Sequence, residues 1–343
     1  MRYLSALRAA LSLVLLFSAA NALAGPKPCF IFVHGMNVSD DTYVDYNKAR
    51  NYWVKNAHDG VAYATQNFAA SFYVVGYDGT KPYWEALAAG EVANEIANAV
   101  SGGPDGGGNS CAKTYDEGGE FWVIAHSMGG TIMDYILGNN DPSDPNYNFN
   151  GPYDVVAEAV TRVITLGGAH RGSEIADYSC GFGGSRYCKG LTSLFPTCNS
   201  GDTSATWWLR TADDVQVRTY ASAPAKDIYL IGGYEAGFQA SICLSGEDDG
   251  LVNYTSQFAC DGDATASIKH ATVCDSNNKQ EISGFFNLDT AHENHLDQRN
   301  GSDIDDRRPI PDGYVWMCDG APCEIGKPTG TKMGTMQFIS TLY

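Results

Sequence analysis

The sequence predicts an α/β architecture in which a mostly parallel sheet is covered on both faces. Three observations lead there. Short, continuous apolar runs recur without the apolar–polar alternation of a half-exposed strand, which is the pattern of strands buried on both sides. Segments with apolar residues at helical spacing separate these runs, so that strand and helix alternate along the chain. In residues 120–137, EFWVIAHSMGGTIMDYIL, a strand-like run passes through a short turn directly into a helix, with Ser127 between the two.

Residues 1–24 read as an export signal, because Arg2 and Arg8 flank the start of an apolar run and Ala22-Leu23-Ala24 has the form of a cleavage site. The run is too short for a convincing transmembrane span, and no later stretch reaches the necessary length. Residues 25–343 are expected to form one domain, since no Pro-rich or Ser-rich linker, repeat or heptad divides them. Residues 29–33, CFIFV, read as the first buried strand, which stops at His34-Gly35-Met36-Asn37. Residues 43–55 follow as a helix and residues 71–77 as a second core strand. Residues 84–100 have helical character, with Leu87, Val92, Ile96 and Val100 near one face, and a Gly-rich loop at 102–109 leads to the strand at 121–125. After the helical spacing of residues 131–137, residues 160–166 read as another strand, ending at Gly167-Gly168-Ala169-His170-Arg171-Gly172.

Between residues 173 and 224 the pattern weakens into Gly, Ser and Cys around an aromatic pair, Trp207-Trp208. This is the composition of an insertion between core strands, either a surface excursion pinned by disulfides or a cap that shapes a pocket. Regular pattern returns at residues 227–231, followed by the acidic Glu247-Asp248-Asp249-Gly250-Leu251-Val252 and a late apolar run at 282–286.

The formal net charge is −18, and loss of Arg2 and Arg8 with the signal would make it more negative. Such a surface repels phosphate backbones, which argues against a nucleic-acid partner, and it accords with solubility outside the cell. The ten cysteines form an even set, and no pair has the C-x-x-C spacing of a zinc ribbon or redox site. In an exported chain they read as disulfides. Cys29 and Cys111 precede two core strands and are a geometrically reasonable pair, and Cys318 with Cys323 would close a local loop.

Ser127 lies in Ala125-His126-Ser127-Met128-Gly129, a variant of the G-x-S-x-G turn that exposes a nucleophilic hydroxyl at the end of a sheet. Small residues two before and two after the serine let the tight turn close, and the helix N-terminus then faces the point where negative charge develops in acyl transfer. A serine hydroxyl needs a base, and on this fold an acid and then a histidine follow it in the chain. His170 precedes any plausible acid and is out of order, whereas His270 reads as a strand or loop histidine. His292 and His295 follow the late apolar run, where the base belongs.

With these residues in view, the chain resembles secreted α/β-hydrolases of the bacterial lipase and esterase type. Val33-His34-Gly35-Met36 is similar to their oxyanion loop, Ala125 to Gly129 to the A-H-S-M-G elbow, and Thr165-Leu166-Gly167-Gly168-Ala169 to their T-L-G-G-A strand end. Asp249-Gly250-Leu251-Val252 fits the D-x-x-V form around the family's acid, and His295-Leu296-Asp297 the H-L-D around its base. The resemblance implies an α/β-hydrolase fold and an ester hydrolase without a required cofactor; the cysteine-rich, disulfide-rich insertion is a departure from the smallest members. Its triad would be Ser127, Asp249 and His295, with Asp248 and His292 as the second choices for acid and base. The backbone N–H groups of Met36 and Met128 would form the oxyanion hole. Calcium-dependent members carry the same D-G-L-V with the aspartate as a metal ligand, so Asp249 as a calcium ligand stands as an alternative; the histidine that accompanies it there is Glu247 here. Acyl glycerols or an aliphatic polyester are the implied substrates, the second by similarity to extracellular polyhydroxyalkanoate depolymerases. An exported binding protein on an inactive scaffold is the alternative outside enzymes, and the oligomeric state is left open.

Overall fold

The structure, a computed structural model, describes residues 26–37, 42–55, 58–67, 69, 71–139, 151–182, 198, 204–211, 228–233, 249, 251–252, 254–257, 285–291, 295, 315–318, 321–322, 331–333, 336 and 339. The export signal expected at residues 1–24 lies outside them. Chain order begins with β1 (Cys29–Val33), α1 (Tyr46–Tyr52), the paired β2 (Val54–Lys55) and β3 (His58–Asp59), α2 (Gly60–Asn67) and β4 (Ser71–Val75). A π-helical turn (Ala86–Gly90) leads into α3 (Glu91–Val100), followed by α4 (Ala112–Glu117), β5 (Phe121–His126), α5 (Met128–Gly138), α6 (Tyr153–Ala159) and β6 (Arg162–Leu166). The remainder comprises α7 (Glu174–Ser179), α8 (Ala205–Trp208), β7 (Ile228–Gly233), α9 (Tyr254–Gln257), β8 (Phe285–Ala291) and a small antiparallel sheet of β9 (Val315–Cys318), β10 (Ala321–Pro322) and β11 (Thr331–Met333).

Six strands form the main sheet in the order β4-β1-β5-β6-β7-β8, and each neighbouring pair is parallel. The unbroken apolar composition of the central strands follows from burial on both faces. On one face Ile31, Val33, Val123, Ala125 and Val163 pack with α3, α5 and α6 through Val92, Ile96, Ile132, Ile136 and Val156. On the other, Phe30, Phe32, Trp122, Ile124 and Ile164 pack with α1 and α2 through Ala49, Tyr52, Val61 and Ala64. The period of two along each strand divides its residues between these layers. A parallel sheet of this order, with β5 turning through a serine into α5, is the α/β-hydrolase architecture. The disulfide-pinned insertion is also present: Cys180 at the end of α7 bonds to Cys198. Cys29 and Cys111 form the other bridge among the described residues. Of the pair Cys318 and Cys323, the second lies outside them.

Several element boundaries differ from the sequence reading, each for a local reason. The helix expected over residues 43–55 is only α1, because Asp45 caps it by accepting from the N–H groups of Asn47 and Lys48, and the chain turns into β2 beyond Trp53. The single face expected for residues 84–100 is interrupted. Val92, Ile96 and Val100 are buried, but Leu87 is 47% exposed, because at about 100° per residue it stands roughly 140° around the helix from Val92 and falls off that face. The sequence reading placed no helix at residues 60–67, 112–117 or 153–159, where the structure has α2, α4 and α6; α4 buries only Thr114 and so has no apolar period. The late strand is β8, which continues through Asn287, Asp289 and Thr290 by pairing with β7 beyond the end of the apolar run.

Candidate active site

Ser127 has φ 55° and ψ −127°, and it is the one non-glycine residue with positive φ among those described. This conformation costs roughly 1–3 kcal/mol for a residue with a Cβ, so surrounding structure must impose it. Three hydrogen bonds do so: Ser127 N–H donates to Leu166 O at the end of β6 (3.0 Å), and Ser127 O accepts from Gly130 N–H (2.9 Å) and Ala169 N–H (3.3 Å). The turn also requires Gly129, because a Cβ there would stand 2.6 Å from His34 O and 2.9 Å from Val33 O.

Two further segments converge on the serine. His295 Nδ1 lies 2.8 Å from Asp249 Oδ2, and His295 Nε2 lies 2.8 Å from Ser127 Oγ. A carboxylate can only accept, so Nδ1 carries the proton and Nε2 is left to accept from the serine hydroxyl. Asp249 and His295 are almost wholly buried. Asp249 Oδ1 accepts from the N–H groups of Leu251 (3.1 Å) and Val252 (2.9 Å), and Asp249 O accepts from His295 N–H (2.8 Å). Ser173 Oγ and Gln257 Nε2 then tie the carbonyls of Leu251 and Val252 to neighbouring segments. The alternatives Asp248 and His292, like Glu247 and His270, lie outside the described residues.

The loop after β1 closes the other side. A Cβ on Gly35 would fall 2.6 Å from Ser127 Cβ and 2.5 Å from Tyr52 Oη, so only glycine fits between them. His34 Nδ1–H donates to Gly35 O (2.8 Å), while Tyr77 O–H donates to His34 O (2.7 Å) and approaches Gly35 O (3.3 Å). Because a trans peptide sets its C=O and N–H in opposite directions, holding Gly35 O in this way turns Met36 N–H away from Tyr77. Met128 is the first residue of α5, whose N-cap makes no side-chain hydrogen bond, so its N–H has no helical acceptor. His34 stacks on Tyr77 with ring centroids 4.0 Å apart, and burial lowers its pKa from 6.5 to about 4.

The sequence reading assigned no role to Tyr52, Tyr77 or His126. All three are buried beside the site: Tyr52 Oη is 2.5 Å from His126 Nδ1, and His126 Nε2 is 2.6 Å from His295 O. The one available signal was His126 itself, a polar residue at the end of an otherwise apolar strand. His170, set aside on chain order, is indeed elsewhere engaged, buried with Nδ1 on Asp134 Oδ2 (2.6 Å) and Nε2 on Thr165 Oγ1 (3.0 Å).

The described part of the insertion borders the oxyanion loop. Thr206 of α8 points its hydroxyl at Met36 Sδ (3.9 Å), and Ala205 N–H donates to Thr80 O (2.9 Å). Trp208 and Leu209 are buried, Trp208 against Trp84 with centroids 5.2 Å apart. Trp207 is half-buried under the Arg210 guanidinium (3.8 Å), which also covers Phe182, itself 50% exposed. Leu191, Leu194 and Phe195 lie outside the described residues.

No protein-family model matches the chain, and no curated protein matches it significantly. Among solved structures it is similar to the mature Bacillus licheniformis lipase BlEst2 (18% identity over 80% of this chain and 86% of that one, TM-score 0.49). It is also similar to EstA from Clostridium botulinum (13%, 81% and 84%, TM-score 0.49) and to the Staphylococcus hyicus lipase (15%, 81% and 91%, TM-score 0.45). The site's own geometry is what bears on activity.

Proposed function

We propose that this protein is a secreted serine carboxylic-ester hydrolase. The observation that carries the reading is the unbroken chain from Ser127 Oγ through the His295 imidazole to Asp249, with both distances at 2.8 Å. His295 takes the serine proton as Ser127 attacks the ester carbonyl, and later returns it to the leaving alcohol. Asp249 holds the tautomer that leaves Nε2 free to accept, and stabilises the imidazolium. The N–H groups of Met36 and Met128 receive the charge that develops on the carbonyl oxygen. An acyl-serine intermediate follows, which water hydrolyses with the same histidine as base. Every side-chain nitrogen and backbone polar group of His295 is engaged, an arrangement that an inactive scaffold would have no reason to keep.

Export is supported by the two disulfides among the described residues and by the export signal read in residues 1–24. Among the described residues no helix is long and apolar enough to cross a membrane. Acyl glycerols or an aliphatic polyester are the proposed substrates, since the exposed Phe182 and half-buried Trp207 lie on the insertion that borders the oxyanion loop. No cofactor is required by this chemistry. In this mechanism the Asp249 carboxylate accepts from three donors, Leu251 N–H, Val252 N–H and His295 Nδ1–H.

A serine-directed phosphonate followed by peptide mapping tests the assignment. Stoichiometric label on Ser127 with loss of esterase activity is expected. Label at any other residue, or turnover undiminished by Ser127→Ala, would remove the basis of the reading.

A further inference from the structure

The histidine that precedes the nucleophile is engaged in a way that the Ser127–His295–Asp249 chemistry does not require. His295 O is a carbonyl and can only accept, so the 2.6 Å contact fixes the proton of His126 on Nε2. Its neutral Nδ1 is then an acceptor, and Tyr52 O–H, 2.5 Å away, is the donor. The direction of the whole relay is thereby determined: Tyr52 O–H donates to His126, and His126 donates to the main chain of His295. Both rings are buried, and the imidazoles of His126 and His295 lie 4.6 Å apart.

The relay joins three segments that come from different parts of the chain. His126 closes β5 immediately before Ser127, and Tyr52 ends α1, where its hydroxyl lies against the place a Cβ of Gly35 would occupy. His295 sits in a turn beyond β8. A side chain presented from a turn is aimed by its backbone. Here the N–H of His295 is held by Asp249 O and its C=O by His126, so the peptide groups on both sides of its Cα are fixed.

On the reading of Ser127, His295 and Asp249 as a catalytic triad, we infer that His126, oriented by Tyr52, is a positioning residue that fixes the His295 main chain and so aims its imzidazole Nε2 at Ser127. It touches neither substrate nor the reacting atoms. Its effect falls on kcat, because a misplacement of about 1 Å in a reacting group costs on the order of 10²-fold.

The experiment compares His126→Phe, His126→Gln and Tyr52→Phe in the full chain, each checked for fold by circular dichroism. Turnover of a soluble nitrophenyl ester and the low-field Nδ1–H proton resonance of His295 are measured. His126→Phe keeps the ring but loses the donor; kcat should fall by about 10²-fold with KM within roughly twofold, and the resonance should shift or broaden. His126→Gln restores an N–H donor near Nε2 and should recover most of both. Tyr52→Phe should move both readouts in the same direction by less, and add little in the His126→Phe background, because the two act in one chain. Wild-type kcat in His126→Phe, or equal impairment of the Phe and Gln variants with an unmoved resonance, would overturn the positioning role. Should His126→Phe fail to fold, unchanged kcat and resonance in Tyr52→Phe together with an unrescued His126→Gln overturn it equally. If the wild-type protein neither hydrolyses esters nor takes the phosphonate, the ester-hydrolase reading fails on its own. The resonance then still decides whether His126 places His295.

Discussion

At the scale of single residues, the site depends on one strained serine and one histidine held at every polar atom. The positive φ of Ser127 is imposed by its neighbours, so removing its Cβ should release strain that removing its hydroxyl does not. Ser127→Gly and Ser127→Ala are both expected to abolish ester hydrolysis, but Ser127→Gly should be more stable than Ser127→Ala by roughly 1 kcal/mol in chemical denaturation. Equal stabilities would show that the turn is relaxed. In the proposed mechanism Asp249 sets a tautomer, and Asp249→Asn presents a donor where His295 Nδ1 needs an acceptor. Turnover should fall roughly 10⁴-fold at Asp249→Asn and at least as far at His295→Ala, while Asp248→Asn and His292→Ala stay near wild type. Steady-state kinetics on the four variants separates the first choices from the second.

At the scale of elements, α8 shows why an aromatic pair in a sequence should not be treated as a unit. Trp207 and Trp208 are adjacent, yet a helical step of about 100° sends one to the surface and the other against Trp84. Trp208→Ser would therefore report on packing, and only Trp207→Ser probes a surface function. Trp207→Ser is expected to lower activity on emulsified triglyceride or polyester film several-fold more than on a soluble short-chain ester, with thermal stability little changed. An equal loss on both substrates would mean that Trp207 with Arg210 serves only to hold the insertion together.

At the scale of the whole molecule, stability has two long-range contributions with distinct signatures. Cys29 and Cys111 are 82 residues apart, and the chain-entropy account gives such a loop about 4–5 kcal/mol, against about 3 kcal/mol for the 18-residue separation of Cys180 and Cys198. Thermal unfolding of the Cys29→Ala/Cys111→Ala variant should show the greater loss of the two. The other contribution depends on pH. His34 has a folded pKa of about 4 against 6.5 when free, because burial disfavours its charged form. Between these values the unfolded chain binds the extra proton, so stability rises with pH across this window. Its contribution is fully present above about pH 6.5 and is lost as pH falls toward 4, by about 3 kcal/mol in all. Denaturant titrations at several pH values should show this slope in the wild type and a flatter one in His34→Asn, whose amide can still donate to Gly35 O.

The central strands, the elbow and the identity of the serine were legible in the residues, because burial on both faces and a tight strand-to-helix turn each restrict which side chains can occupy consecutive positions. The candidates Asp249 and His295 were legible only as motifs, since a chain order admits several acids and histidines. Tertiary structure brought His295 within 2.8 Å of both Asp249 and Ser127, with the loops around the acid and the histidine pinned by hydrogen bonds to β5 and the start of α7. It alone placed Tyr52 and His126 against them. Local sequence specifies conformation through neighbours a few residues away. A contact such as that between His126 and His295, 169 positions apart, exists only once the parallel sheet has brought the carboxyl ends of β5 and β8 to the same edge, with β6 and β7 between them.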